Sequence, residues 1–314
     1  MKISGFTFVR NGEKLYYPFR ESIESILPIC DEFVIAIGKG DEDDHTRDII
    51  ASINSPKIKI IDTIWDTEKW SGGTIYAAET NLALSQCSGD WCFYLQADEV
   101  VHEKYLEVIK KRCEQLLDDN EVDGLLFKYK HFWGDYEHYN QSHAWYPNEI
   151  RIIRNRPDIR SWVDAQSFRR FEKPKNVNQD NTHKLKVARV DAEIYHYGWV
   201  RPPQLMRTKQ KVMNTAYWGN EDTEKKFIEK SVDFDYGPLQ KCDVFDDTHP
   251  AVMKEMIARM NWKDRLQYSG EPNPNRDSHK HERFKYRVLS FLENKVLGGR
   301  SIGGFKNYIL VKGK

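Results

Sequence analysis

No two of the five cysteines, Cys30, Cys87, Cys92, Cys113 and Cys242, form a C-x-x-C pair. That spacing argues against a zinc ribbon, a dithiol redox motif or a disulfide framework, and thiols set mostly in apolar runs read as the reduced core groups of a cytosolic protein. Charge of one sign is missing too. Lys+Arg and Asp+Glu both number 48, so no global field draws the chain to nucleic acid or an acidic polymer. Neither a signal peptide nor an apolar run long enough to span a bilayer is present, which predicts a soluble or peripheral chain. Glycine-rich phosphate loops are also absent. No G-x-G-x-x-G follows the first strand, where Arg10-Asn11-Gly12-Glu13 stands instead, and no Walker A loop occurs, so a dinucleotide-binding or P-loop reading is unsupported.

What is present is alternation. Ile3 to Val9, Glu32 to Ile37 and Lys57 to Thr63 read as strands, with Leu15 to Leu27, Thr46 to Ile53 and Ile75 to Gln86 as the intervening helices. Strands alternating with helices through the first hundred residues predict a parallel, doubly wound α/β sheet. The most informative stretch follows: Gly89-Asp90-Trp91-Cys92-Phe93-Tyr94-Leu95-Gln96-Ala97-Asp98-Glu99 is a short apolar and aromatic strand that runs into two adjacent carboxylates. Acids at the carboxyl end of such a strand sit where open α/β sheets bind ligands, and their oxygens suit a hard divalent cation that neutralises a diphosphate. A solvated strand end or a helix cap is the plainer reading of the same residues.

Further on, His102 to Leu117 predicts a helix, and Gly124 to Tyr129, Glu149 to Arg154 and Lys186 to His196 predict strands, the last ending in His196-Tyr197-Gly198. Phe132 to Asn148 is too long for a mere connection and too aromatic for disorder, whereas Lys173 to Lys184 reads as a flexible excursion. Aromatic residues make up 13% of the chain, and several, such as Trp133, Trp145 and Tyr146, stand in polar contexts that suit sugar rings as well as packing. From about Pro202 the chain is helical and charged. Its last stretch, from Lys280, carries nine basic residues against two acidic ones, and Phe284 to Leu297 gathers its apolar residues on one helical face, as a packed helix or a peripheral membrane anchor does.

With these residues in place, the chain resembles the family 2 glycosyltransferases of GT-A fold, especially the bacterial branch related to lipopolysaccharide core glycosyltransferases. The resemblance rests on Val9-Arg10-Asn11, Asp43-Asp44-His45-Thr46, Thr80-Asn81, Gln96-Ala97-Asp98-Glu99, Glu149-Ile150-Arg151-Ile152-Ile153-Arg154 and Ile194-Tyr195-His196-Tyr197-Gly198. It implies a Rossmann-like mixed α/β sheet flanked by helices over residues 1–201 and a C-terminal helical, basic extension over 202–314. The implied activity is inverting, metal-assisted transfer of a sugar from a UDP- or GDP-sugar to a hydroxyl of a cell-surface glycan or glycolipid, with Mn²⁺ or Mg²⁺. It would take place in the cytoplasm, with peripheral contact to the inner membrane and no nucleic-acid partner. The alternative is a catalytically inactive protein of the same fold that binds nucleotide-sugars, because Gln96 replaces the first acid of the D-x-D signature and Trp162-Val163-Asp164 stands where relatives often carry a His-Glu pair.

Residue by residue, the resemblance sets Val9, Arg10, Asn11 and Glu13 beside the base and ribose, Asp43 or Asp44 on the same rim, and Asn81 facing the donor. Asp98 matches the last acid of D-x-D and is the expected metal ligand. Glu99 is a second ligand or a capping acid, and His196 a ligand, a diphosphate contact or an ordinary hydrogen-bonded histidine at a strand end. Gln96 offers an amide contact to ribose or metal-bound water without charge, which predicts weak metal affinity before the donor completes the site. Asp164 leads as the base that takes the acceptor proton, with Glu149 and Asp135 as rivals. Apart from the resemblance, Arg151 and Arg154 alternate on their strand, so Arg151 either reaches a donor phosphate or faces solvent, and Trp133, Trp145 and Tyr146 are set toward the acceptor.

Overall fold

Three of the first four strands are covered on both faces, and their residues divide between two cores with the period of two that a pleated strand imposes. In β1 (Ile3–Val9), β2 (Glu32–Gly38) and β4 (Trp91–Tyr94), Ile3, Phe33, Ile35, Trp91 and Phe93 point to one core and Phe6, Val34, Ala36, Cys92 and Tyr94 to the other. The first core is closed by α1 (Phe19–Ile26) and α4 (Leu106–Gln115), through Ile23, Ile26, Ile109 and Cys113, and the second by α3 (Thr74–Leu84), through Ala83 and Leu84. The computed structural model describes the whole chain except residues 68, 71, 174–180, 228–232, 299–301 and 304–305.

The remaining elements are α2 (Thr46–Ala51), β3 (Ile58–Thr63), β5 (Glu99–Val101), β6 (Gly124–Trp133), β7 (His138–Asn140), β8 (Asn148–Arg154), β9 (Ile159–Trp162), β10 (Ser167–Phe171) and β11 (Thr182–Trp199). After them come α5 (Pro203–Trp218), α6 (Asn220–Phe227), β12 (Asp243–Val244), α7 (Lys254–Ala258), α8 (Phe284–Phe291) and β13 (Tyr308–Leu310). The sheet order is β3-β2-β1-β4-β8-β6-β11-β10-β9. Its first four strands are parallel. β8 runs antiparallel to both β4 and β6, which makes the sheet mixed. The fold class is thus α/β with helices on both faces, as expected. Two short strands after residue 202 tie that region to the sheet, β12 beside β7 and β13 beside β11.

Several local expectations are corrected. The first helix begins at Phe19, not Leu15, because the Asn11-Gly12 turn continues through Tyr16, at φ 57°, to Pro18, which has no amide N–H to extend a helix backwards. The strand from Trp91 stops at Tyr94, and Glu99 already begins β5. The aromatic segment from Phe132 is partly regular, since β6 runs to Trp133 and folds back onto β7. Of the excursion read over 173–184, residues 174–180 lie outside the described residues, as does Arg300 of the basic tail, and β11 has begun by Thr182.

Candidate active site

A cleft of about 330 Å³ opens at the carboxyl ends of β1 and β4, the edge at which open α/β sheets bind ligands. Val9, Arg10 and Asn11 reach it from β1, and Gln96 and Asp98 from the loop after β4. Asn11 sits at φ 53°, a conformation asparagine tolerates better than most residues, and its Oδ1 accepts from the Asp41 amide at 2.8 Å. Phe8, Trp65 and Tyr76 form one wall, with ring centroids 5.7–5.9 Å apart. The Arg10 guanidinium lies 5.4 Å from the Trp65 ring. Gly38 lets that indole approach, because a Cβ there would stand 2.4 Å from the Trp65 Nε1.

Asp98 lies on the cleft floor, 7% exposed. The Lys209 ammonium donates to its Oδ2 at 3.0 Å and to the Gly198 carbonyl at 2.8 Å. Burial alone would raise the Asp98 carboxyl, but attraction to Lys209 and then His196 outweighs it and holds the group well below the usual carboxylate range. Lys209 is lowered to about 8 by burial and then by Arg201, with Asp98 opposing. Arg201, fully buried, also donates to the Gly198 carbonyl, at 3.1 Å. Gly198 has no room for a side chain: a Cβ would stand 2.4 Å from the His196 Nε2 and 2.7 Å from the Asp98 Oδ2.

The tautomer of His196 follows from its neighbours. His131 Nε2 lies 2.8 Å from the Tyr146 carbonyl, which can only accept, so that nitrogen carries the proton. Burial, then His196, lowers the His131 imidazole to about 3, which keeps it neutral and leaves its Nδ1 an acceptor. His196 Nδ1, 2.9 Å away, therefore donates to it. The His196 Nε2 is left facing the cleft, 3.7 Å from the Asp98 Oδ2.

Asp164 occupies a turn between β9 and β10 whose flanking residues, Val163 and Ala165, have φ of 54° and 61°. Left-handed backbone at a β-branched residue is strained by about 1–3 kcal/mol and persists only where the surroundings impose it. The Tyr217 hydroxyl donates to the Asp164 Oδ2 at 2.8 Å. Asp164, Gln166, Trp145 and Tyr146 line both the cleft and a second cavity of about 1100 Å³, which extends between the aromatic segment and residues of the C-terminal region such as Tyr286 and Asn307. Glu149 lines only the larger cavity, and burial raises its carboxyl.

Other expected site residues are engaged elsewhere. Glu99 is fully buried and paired side-on with Arg151, Nε to Oε2 and Nη2 to Oε1 both at 2.7 Å. Burial would lower the Arg151 guanidinium, but the Glu99 charge more than reverses this and raises it well above its usual value. Neither residue lines the cleft, so Glu99 does not reach a metal there, nor Arg151 a phosphate. Trp133 is core, its Nε1 donating to the Tyr236 carbonyl at 2.9 Å. Asn81 clamps α3 to β9 through both the amide and the carbonyl of Ser161. Glu13 bonds His45, Asp43 bonds Lys14, and both are exposed. Asp44 accepts from the amides of Lys14 and Thr46. Asp135, fully buried, accepts from the amides of Glu137 and His138 at 2.9 Å and is a turn-forming acid, not a base.

Two residues of the site were missed in the sequence. Lys209 and Tyr217 lie on one face of α5 with Val212 and Met213, all four lining the cleft. The available signal was a lysine on an otherwise apolar stripe at helical spacing. With Lys209 recognised, the surroundings of Asp98 do not suit a resident Mn²⁺ or Mg²⁺. A hard cation requires several oxygen ligands, whereas the floor offers one carboxylate and one imidazole nitrogen beside two buried cations, with Glu99 turned away. Among the described residues no three His, Cys, Asp or Glu side chains are grouped to hold a metal.

No family model matches the chain, and no curated protein matches it. Solved structures of glycosyltransferases are similar to part of it. One is S. aureus TarS, at 18% identity and a TM-score of 0.40, covering 68% of this chain and 39% of that one. Another is S. aureus TarS 1-349 in complex with UDP-GlcNAc, at 16% identity and a TM-score of 0.38, covering 69% and 66%. A third is glucosyl-3-phosphoglycerate synthase from Mycobacterium tuberculosis in complex with Mn²⁺, UDP and phosphoglyceric acid, at 16% identity and a TM-score of 0.29, covering 42% and 43%. The chain thus spans about two-fifths of the length of the first of these proteins.

Proposed function

We propose that the protein is a GT-A type glycosyltransferase that moves a sugar, with inversion, from a UDP- or GDP-sugar to a hydroxyl group of a cell-surface glycan or glycolipid. The observation that carries this reading is the position of Asp164 at the junction of two cavities, one with an aromatic wall and a cationic floor and the other large enough for an oligosaccharide. In the first, Phe8, Trp65 and Tyr76 cover the nucleobase, Arg10 and Asn11 contact the ribose, and the diphosphate lies toward Asp98 and Lys209. In the second, Trp145 and Tyr146 face the acceptor ring.

The chemistry is one displacement. The acceptor oxygen forms a bond to the anomeric carbon as the bond from that carbon to the diphosphate oxygen breaks, and the electron pair leaves on the diphosphate. The acceptor proton passes to Asp164, which Tyr217 holds in place. Glu149, in the larger cavity, orients the acceptor. No step runs through a metal ion, because the residues around Asp98 do not suit one.

Residues 1–201 would form the transferase domain, completed from 202–314 by Lys209 and Tyr217. Among the described residues no helix is long and apolar enough to cross a membrane. The exposed Phe284, Phe291 and Val296, beside Lys285, Arg287 and Lys295, support peripheral contact with an anionic inner-membrane surface from the cytoplasmic side.

Release of UDP or GDP from a panel of nucleotide-sugars, with and without acceptor extract, tests the reading. Release by the native chain and its loss in Asp164→Asn support transfer. Nucleotide binding without release from any donor favours the inactive binding protein, and no nucleotide binding at all overturns both.

A further inference from the structure

The electrostatics of the cleft floor differ from those of an acidic metal-binding site. Around the Gly198 carbonyl stand two buried cations, Lys209 and Arg201, which donate to it at 2.8 and 3.1 Å and lie 4.9 and 4.6 Å from the ring of Tyr17. One carboxylate, Asp98, faces them, so this group carries a net positive charge. Burying such an excess is costly unless an anion completes it. Of the two cations, Lys209 lines the cleft, and Arg201 does not. Its ammonium has three donors, of which Asp98 and Gly198 take two, and among the described residues no third hydrogen bond is formed.

We infer that Lys209 is the resident cation for the donor's diphosphate and occupies the role expected of Mn²⁺ or Mg²⁺, with Asp98 positioning Lys209 instead of ligating a metal. The inference rests on the nucleotide-sugar reading above and names the residue that holds the leaving group. Three features of the chain agree with it. Gln96 removes the negative charge that a second D-x-D acid would contribute, Glu99 is turned away into its pair with Arg151, and Lys209 projects from α5, whose Tyr217 also holds Asp164. An ammonium between a carboxylate and a diphosphate stabilises the charge that grows on the leaving oxygen as the glycosidic bond breaks, and a rigid helix sets its position before the donor arrives. A lysine also supplies a compact point charge with rotatable donors, which suits a diphosphate whose oxygens move as the bond lengthens.

The test is calorimetric titration of UDP and of GDP into the full chain, once with excess EDTA and once with Mn²⁺. Uridine and guanosine are titrated alongside as probes that lack the diphosphate. The native chain is expected to bind one of the two diphosphates in EDTA with an affinity within about threefold of that in Mn²⁺. Lys209→Gln is expected to weaken that binding tenfold or more while leaving nucleoside binding unchanged. Asp98→Asn supplies the opposite sign: it leaves Lys209 unneutralised, so diphosphate binding in EDTA is retained or tightened, where loss of a metal ligand would abolish metal-dependent binding. This second variant decides the matter even if Lys209→Gln does not fold. Binding that needs Mn²⁺, or that Asp98→Asn abolishes, overturns the inference and leaves the transferase reading standing. Absence of binding by either diphosphate in both conditions overturns both.

Discussion

Replacing Glu99 by glutamine removes a buried charge whose partner cannot follow it into solvent. Glu99 and Arg151 are both fully buried. The glutamate accepts two charged hydrogen bonds from Arg151 at 2.7 Å, one from the Tyr129 hydroxyl at 2.8 Å and one from the Gln96 amide at 3.1 Å. The Arg151 Nη1 is fixed separately to the carbonyls of Ile150 and Gln166, so the guanidinium stays where it is. Breaking one side of such a pair costs about 3–5 kcal/mol, because the remaining charge is left uncompensated. At roughly 2–4 °C per kcal/mol for large domains, Tm falls by roughly 6–20 °C. The assay is urea and thermal denaturation of Glu99→Gln beside Glu99→Gln/Arg151→Met, and the double variant should recover part of the loss. A Glu99→Gln chain as stable as the native one, with turnover abolished, would show that the glutamate serves the reaction instead of the fold.

Three other outcomes follow from the same geometry. Gly198→Ala should lower turnover at least tenfold with circular dichroism unchanged, since the new Cβ meets the His196 Nε2 and the Asp98 Oδ2 inside 3 Å; unaltered kinetics would refute the crowding. Asp164→Asn should bind diphosphate as the native chain does while kcat falls about 10²–10⁴-fold, the usual worth of a general base, and a change confined to KM would count against that role. Glu32 is lowered to about 2, because its bonds to Lys59, Ser4 and Ser88 outweigh the effect of burial. A carboxyl depressed on folding contributes stability that is complete above its unfolded value, near 4.5, and is lost as pH falls toward 2. Glu32→Gln should therefore lose stability at pH 7 and show a shallower acid limb between those two values, and an acid limb identical to that of the native chain would contradict it.

The layered sheet was legible because its signal is local. Phe33, Ile35, Val34 and Ala36 alternate within one strand, and each residue reports its own face. Asp98 was conspicuous for the same reason, as an acid in the loop that follows a buried strand. Glu99 and Arg151 were not, since both carry chemistry that suits a phosphotransfer or metal site and only the placement of β8 between β4 and β6, across 52 residues of sequence, shows that they satisfy each other. Trp133 misled similarly: an indole in a polar segment reads as a sugar platform until Tyr236, from a hundred residues later, accepts its N–H. Lys209 was hidden in a different way. One lysine among 48 basic residues stands out only when helical spacing is used to set it on the same face as Met213 and Tyr217. Asp164 was singled out by position alone, whereas the left-handed residues on either side of it, Val163 and Ala165, are visible only in the backbone.

The central claim is that the cleft at the ends of β1 and β4 holds a sugar nucleotide with its leaving group on Lys209 and its anomeric carbon toward Asp164. A diffraction structure of the protein with an intact UDP- or GDP-sugar tests it most directly. The expected result has a diphosphate oxygen within hydrogen-bond distance of the Lys209 Nζ, the base against Phe8, Trp65 and Tyr76, and the sugar facing Asp164. A nucleotide bound outside this cleft, or a sugar turned away from Asp164, would contradict it.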